Sequence, residues 1–175
     1  AEVTLVAGPV HLPTPLGVRR VDVQLALQMQ AAVQAEVGAA TIFIAAAAVA
    51  DWRPASVAEH KIKKDGSGLP PALHFVENPD ILAGVAADPR ASRGELYCVG
   101  FAAESQDLLA NAQAKRLRKR VPLLVGNIGP ATFGRDDNAL LLVDAQGAQE
   151  LPHGSKTELA RQLVAEIARR LPVAG

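Results

Sequence analysis

The sequence predicts an α/β fold, a mainly parallel sheet flanked by helices. Short, wholly apolar runs of strand length alternate with segments whose apolar residues recur at helical spacing, the pattern of strands covered on both faces by helices. Glycine, proline and helix-capping residues fall between these runs rather than inside them. With 175 residues, 49% of them hydrophobic, the chain is long enough to bury a core and short enough to be read as one domain.

Residues 3–7 read as a buried strand stopped by Gly8-Pro9, and a proline-rich loop over 11–17 leads to a short strand over 18–23. Leu25, Ala26, Met29, Ala32 and Val33 mark a helix that Gly38 can end. Residues 41–49 form a fully apolar strand that gives way to Asp51-Trp52-Arg53-Pro54, and 56–71 is a loop rich in lysine and glycine. A strand over 72–76 precedes a helix start in which Asn78 is the N-cap, Pro79 the first helical residue and Asp80 an acid at the positive end of the dipole. Strands over 96–101, 123–126 and 140–143 enclose a helix over 105–120 with a basic last turn. Ser155 with Glu158 makes a capping box for a final helix whose apolar stripe is Leu159, Leu163, Ile167 and Leu171. No internal repeat or linker divides the chain, so residues 1–175 are expected to form a single domain. The pattern is Rossmann-like, but it opens on a strand with no βα unit before it, where such folds place their first phosphate loop. Either the fold does without that loop or the sequence is missing its front.

Composition removes several classes. Eighteen Lys and Arg balance eighteen Asp and Glu, and a net charge of zero argues against a nucleic-acid partner held by phosphate attraction. One cysteine excludes an internal disulfide and fits a reducing compartment, and 3% aromatics leave little for base stacking. The longest apolar block, residues 42–50, is too short to span a membrane. The expectation is a soluble, cytoplasmic chain. His11, His60, His74 and His153 lie in unrelated segments without HxxxH or HExxH spacing, so no protein-held metal site is expected. Cys98, inside an apolar strand, reads as a core residue rather than a nucleophile. GxGxxG, the Walker-type GxxxxGK loop and GxSxG are all missing from the sequence.

Four segments can carry chemistry, and each also has a plain structural reading. The small alanines before Asp51 would let a flat ligand approach the backbone at a strand end, or would simply finish a buried strand. Lys61, Lys63 and Lys64 with Gly66 and Gly68 suit a flap that closes on a polyphosphate, or a solvated charge cluster. Lys115 and Lys119, four apart, project from one helix face that could hold phosphates, or they complement the helix dipole. Asn78-Pro79-Asp80-Ile81 can bind a polar ligand at a helix start, or merely cap it.

Taken together and in order, AAAVADWRP (46–54), KIKK (61–64), ENPDIL (77–82), VGFAAES (99–105) and the Lys115/Lys119 pair resemble bacterial 4'-phosphopantothenoylcysteine synthetase. AGPVHLPTPLGV (7–18) is similar to that family's early loop and FGRDDNALLLV (133–143) to its late segment, so the resemblance covers nearly the whole chain. It implies a reaction that joins 4'-phosphopantothenate to L-cysteine with CTP. The substrate carboxylate attacks the α-phosphate to give an acyl-cytidylate and pyrophosphate, and the cysteine amine then displaces CMP. Lysines and Mg2+ would stabilise the developing phosphate charge. The resemblance further implies a homodimer and fusion in many members to a flavin-dependent decarboxylase, whose FMN would belong to that other domain.

Residue by residue, Ala45, Ala46 and Ala47 match positions that contact CTP through the backbone, and Asp51 matches the nucleotide-site aspartate. Lys61 matches the first lysine of KIKK and is the implied catalytic lysine, with 63–68 as the flap. Pro79, Asp80, Ile81 and Leu82 match a nucleotide-contacting helix start, Phe101 a contact after the strand, and Lys115 and Lys119 the helix lysines. The family's opening strand, GPT-type turn and asparagine-bearing SSGKMG-like segment have no counterpart here, which puts complete catalysis by this chain in question. Pro122 stands where the family often has an acid, and Ser105 where it often has threonine. The rival functions are a non-catalytic nucleotide-binding or dimerisation module and a nucleotide-dependent oxidoreductase, the latter lacking its glycine fingerprint.

Overall fold

The computed structural model describes residues 1–64, 66, 68–104, 106–128 and 134–171. Among them the elements are β1 (Val3–Ala7), β2 (Val18–Asp22), α1 (Ala26–Glu36), β3 (Ile42–Ala45), β4 (Trp52–Pro54), β5 (Phe75–Glu77), α2 (Ile81–Ala86), α3 (Pro89–Ser92), β6 (Tyr97–Glu104), α4 (Leu108–Lys119), β7 (Leu123–Ile128), β8 (Asp137–Val143), β9 (Ala148–Ser155) and α5 (Lys156–Arg170). Contacts group them into two bodies: Ala1–Val33 with Ala48–Asp80, and Gln34–Ala47 with Ile81–Gly175.

The second body is a five-stranded sheet in the order β3-β6-β7-β8-β9. Its β3, β6 and β7 run parallel, with Ala45 opposite Gly100 and Val99 opposite Leu123. The apolar runs read from the sequence become its buried centre, where Val99, Leu123 and Val125 are sealed. The hairpin β8–β9 extends the sheet antiparallel, β8 pairing β7 and β9 pairing β8 with a bulge between Asn138 and Leu140. Leu159, Leu163 and Ile167 of α5 pack on Leu140, Leu142 and Leu151 of that hairpin. Ser155 caps α5 as expected, its hydroxyl accepting the Glu158 N–H at 3.2 Å.

Two glycines let helices sit down on the sheet. A Cβ at Gly100 would lie 2.7 Å from Leu82 Cδ2 and 2.9 Å from Leu124 Cδ1, and one at Gly126 would lie 2.8 Å from Leu108 Cδ1. Polar side chains fix the ends. Arg90 donates to the carbonyls of Val37 at 3.0 Å and Gly38 at 2.8 Å and pairs with Asp88, the N-cap of α3. Arg170 bonds Asp144, Glu166 and Gln149, joining the last turn of α5 to the β8–β9 hairpin.

The first body holds two small ladders. Parallel β1 and β2 pair from Val3 opposite Val18 to Ala7 opposite Asp22. Arg20 ties the proline-rich loop to this ladder by donating to Leu12 O at 2.8 Å and Val10 O at 3.3 Å. Antiparallel β4 and β5 pair Trp52 with Glu77, Arg53 with Val76 and Pro54 with Phe75.

The α/β class holds, but several boundaries move. The strand expected over 41–49 stops at Ala45, and the next residues leave the ladder. β4 lies where only a polar turn was expected, and its partner β5 sits at 75–77 rather than 72–76. β9 was not expected, because along it only Leu151 is buried and no apolar alternation marks it. Helix α2 begins at Ile81, and the Asn78 side chain is engaged with β4 and the residue before Asp51, not with the helix start. The expected helix start at Ser105 lies outside the described residues, as do Asp65 and Ser67 of the flap segment and Phe133 of the late motif.

Candidate functional site

In the second body the candidates meet at the carboxyl ends of the parallel strands, the customary ligand position of an open α/β sheet. Gly100 is the point of convergence. Ala45, the last residue of β3, is its ladder partner. Leu82, in the first turn of α2, lies over it, and Phe101 follows it in β6 and packs partly into the core. Ala46 and Ala47 follow as exposed, non-strand backbone, whose N–H and C=O groups are not committed to the β3–β6 ladder. Ile81 opens α2 beside Leu82.

At the far end of β6 the Lys115 ammonium stands 3.8 Å from Glu104 Oε1, and Lys119 occupies the last turn of the same helix, α4. Glu104 was not singled out from the sequence, although a lone acid closing an apolar strand was the available signal.

In the first body Asp51, Pro79 and Asp80 share the open end of the β4–β5 hairpin. Asp51 precedes β4 and its carbonyl accepts the Asn78 N–H at 2.7 Å, so the residue before Pro79 is bonded directly to the candidate aspartate. Asn78 Nδ2 adds a bond to Ala50 O at 2.8 Å, and Arg53 Nη1 donates to Glu77 O at 2.6 Å and Asn78 Oδ1 at 3.1 Å. Sequence reasoning missed this brace because Asn before Pro reads as a helix cap. Lys61 stands exposed on the loop joining β4 to β5, with Lys63 and Lys64. In that loop Gly66 and Gly68 take φ of 84° and 74°, left-handed backbone that suits glycine.

Elsewhere, an open depression of about 530 Å³ is lined by Arg135, Asp136, Asp137 and His153, and a second of about 360 Å³ by Tyr97, Pro122, Asp144 and Arg170. None of the candidate residues lines either. Arg135 is already paired in two bonds with Asp137, whose carboxyl its guanidinium holds below the usual range. Cys98 is fully buried, and burial pushes its thiol up to about 11, which suits a core residue and not a thiolate nucleophile. Among the described residues no three His, Cys, Asp or Glu side chains gather to hold a metal ion, and no helix is long and apolar enough to cross a membrane.

Comparison with known proteins places these features in a family context. The family model described as the DNA/pantothenate metabolism flavoprotein C-terminal domain matches residues 1–171. The coenzyme A biosynthesis bifunctional protein CoaBC of Vibrio cholerae serotype O1 is 48% identical over 163 residues, which cover 91% of this chain and 40% of that protein. The protein of the same name from Escherichia coli K12 is 48% identical over 176 residues, covering 97% and 42%. The chain thus spans about two fifths of the length of these curated relatives. A crystal structure of the C-terminal domain of CoaBC superposes with a TM-score of 0.76 at 29% identity, covering 95% of this chain and 72% of that one.

Proposed function

The chain belongs to the DNA/pantothenate metabolism flavoprotein C-terminal domain family, and from that membership we propose that residues 1–175 act as one synthetase domain of coenzyme A biosynthesis, ligating 4'-phosphopantothenate to L-cysteine with CTP. The observation that carries this reading is the gathering of Ala45, Leu82 and Phe101 around Gly100, at the strand ends where an α/β sheet receives its ligand.

On this reading the substrate carboxylate bonds to the α-phosphate of CTP as the bond to the departing pyrophosphate breaks. The cysteine amine then bonds to the acyl carbon, and CMP leaves with the carboxylate oxygen. Both steps build negative charge on phosphate oxygens, and lysine ammonium groups aimed at that charge lower the barrier. Lys61 takes this catalytic role, on a loop whose glycines allow closure. Lys115 and Lys119 hold the nucleotide phosphates, with Glu104 as the partner Lys115 leaves when a phosphate arrives. Ala45, Ala46 and Ala47 read the base through their backbone, and Asp51, Pro79, Asp80, Ile81, Leu82 and Phe101 complete the nucleotide contacts.

Magnesium does not fit a protein-held site, since the described residues bring no carboxylate cluster together. It is assigned to the triphosphate it accompanies, in keeping with an ion that keeps its waters and leans on phosphates. FMN belongs, in this proposal, to a fused phosphopantothenoylcysteine decarboxylase domain, and the whole protein works in the cytoplasm as a homodimer. What supports association of two copies is the β4–β5 hairpin, a two-stranded ribbon that is marginal alone. One of its faces carries Trp52, Pro54 and Phe75, with Trp52 60% and Phe75 54% exposed.

Thermal unfolding of the chain with magnesium and CTP, ATP, GTP or NAD tests the nucleotide assignment. At about 100 times its dissociation constant a native-state ligand adds about 2.7 kcal/mol, a rise of roughly 5–11 °C for a chain of this size. A rise confined to CTP is expected, and a rise with NAD but none with CTP overturns the reading.

A further inference from the structure

The open end of the β4–β5 hairpin is held by two side chains to which the reaction above gives no part. Trp52 opposite Glu77 is the last ladder pair, and three residues a side make too few bonds to fix what lies beyond it. Beyond it, Asn78 spans the gap with one backbone and two side-chain hydrogen bonds. Its backbone N–H reaches Asp51 O at 2.7 Å, Nδ2 reaches Ala50 O at 2.8 Å, and Oδ1 accepts Arg53 Nη1 at 3.1 Å. The same Arg53 nitrogen donates to Glu77 O at 2.6 Å, so the guanidinium grips the residue before Asn78 as well.

We infer that Asn78, with Arg53 behind it, is the positioning residue that sets Asp51 against Pro79 and Asp80. The inference rests on the nucleotide reading of those three residues. A helix cap would direct Oδ1 toward N–H groups of the following turn; here Oδ1 accepts from Arg53 and Nδ2 is turned back on the residue before Asp51. The Asn78–Ala50 and Arg53–Glu77 bonds are exposed and the Arg53–Asn78 bond is only part-buried, so water can replace most of them in the free protein and little stability depends on them. A ligand that must touch both sides of the hairpin needs the two sides in register, and contacts displaced by an ångström lose most of their value.

Trp52 is the only tryptophan and lies between Asp51 and Arg53, so its emission follows this end of the hairpin. Magnesium CTP is titrated into the chain and into Asn78→Ala, Arg53→Ala and the double variant. The expected result for Asn78→Ala is a dissociation constant raised about tenfold, with the saturating emission change retained and the ligand-free melting midpoint within about 2 °C of the parent. Arg53→Ala, which leaves the Asn78–Ala50 bond in place, follows with a smaller factor and serves if Asn78→Ala fails to fold. The double variant is no weaker than Asn78→Ala, because Arg53 acts through Asn78. A merely structural role gives the opposite signature, a lowered midpoint with unchanged affinity in the folded fraction, and overturns the inference, as does unchanged affinity in both single variants. A parent chain without any CTP response overturns the nucleotide reading itself, together with what rests on it.

Discussion

The body formed by Gln34–Ala47 and Ile81–Gly175 and the body formed by Ala1–Val33 and Ala48–Asp80 hold their strands by different means. The first has a five-stranded sheet with sealed leucines and valines at its centre, and arginine clamps at its margins. The second has two separate two-stranded ladders, and among its described residues only Ala7, Val23 and Val33 are buried apolar side chains. Its large side chains, Leu12, Leu16, Trp52, Leu69 and Phe75 among them, face outward. Yet it carries Asp51, Lys61, Pro79 and Asp80, a third of the proposed site residues. The lesson is one of division: strands in the one body are held by a sealed core, and those in the other by ladder and surface bonds, where local opening costs less.

A matched pair of truncations tests that contrast most strongly. Leu142→Ala empties a site 1% exposed and should cost roughly 2–5 kcal/mol, lowering the melting midpoint by about 4–20 °C. Leu16→Ala removes the same side chain from a fully exposed position of the other body and should stay within about 0.5 kcal/mol of the parent. Comparable losses in calorimetry for the two would break the comparison.

Lys61→Ala then asks whether chemistry and stability separate. In the complete enzyme, cysteine-dependent CMP release should fall by about 10²-fold or more, as when one charge-stabilising donor is lost, with the melting curve in place. Near-normal turnover would remove Lys61 from the mechanism.

Gly100→Ala probes a place where the sheet packs directly against a proposed ligand residue, Leu82. The new methyl must displace both Leu82 and Leu124, at a cost of about 1–3 kcal/mol by thermal melting. Because Leu82 moves with it, CTP affinity should drop in the same variant, and an unchanged affinity would detach Leu82 from the site.

The smallest effect belongs to acid. Burial pushes the Asp144 carboxyl up, but the Arg170 bond and the N–H groups of Gln146 and Gly147 outweigh it and leave it below its ordinary value. A carboxyl held low in the folded state adds stability that is complete above its unfolded value of about 3.9 and is lost as pH falls through the folded one. Stability should therefore hold from pH 7 to about 5 and decline below about 4, and Asp144→Asn should shallow that decline by less than about 1 kcal/mol. An identical acid limb in the two proteins, followed by circular dichroism, would show that the Arg170 clamp contributes nothing through charge.

What could be read from the sequence follows the same division. Strands β6 and β7 are continuous apolar runs sealed in the core, and α5 announces itself by its capping box and leucine stripe. Where the fold leans on surface bonds the signal fails. Residues 46–49 are as apolar as a strand but lie beyond the last β3 ladder pair. β4 is three residues long, and β9 buries one leucine, so neither leaves a period to detect. Asn78 shows the limit most sharply, since Asn-Pro-Asp is a good cap by composition and only coordinates reveal that its amide points backward. The candidate site residues were singled out by ordered motifs rather than by periodicity. The convergence on Gly100 and the Lys115–Glu104 pair needed the sheet register and the packing of α2 and α4.

The order of strands also sets an order of events. β6, β7, β8 and β9 are neighbours both in the chain and in the sheet, so each ladder among them closes over a short sequence separation, the α4 crossover from β6 to β7 being the longest. β3 reaches β6 across about fifty residues, with a loop-closure cost that none of the other ladders in that sheet bears. Long-range pairings are the slow ones. Loop closure therefore predicts that the strand ending in Ala45 joins the sheet after the other four, so that the edge proposed to read the base is completed late in assembly.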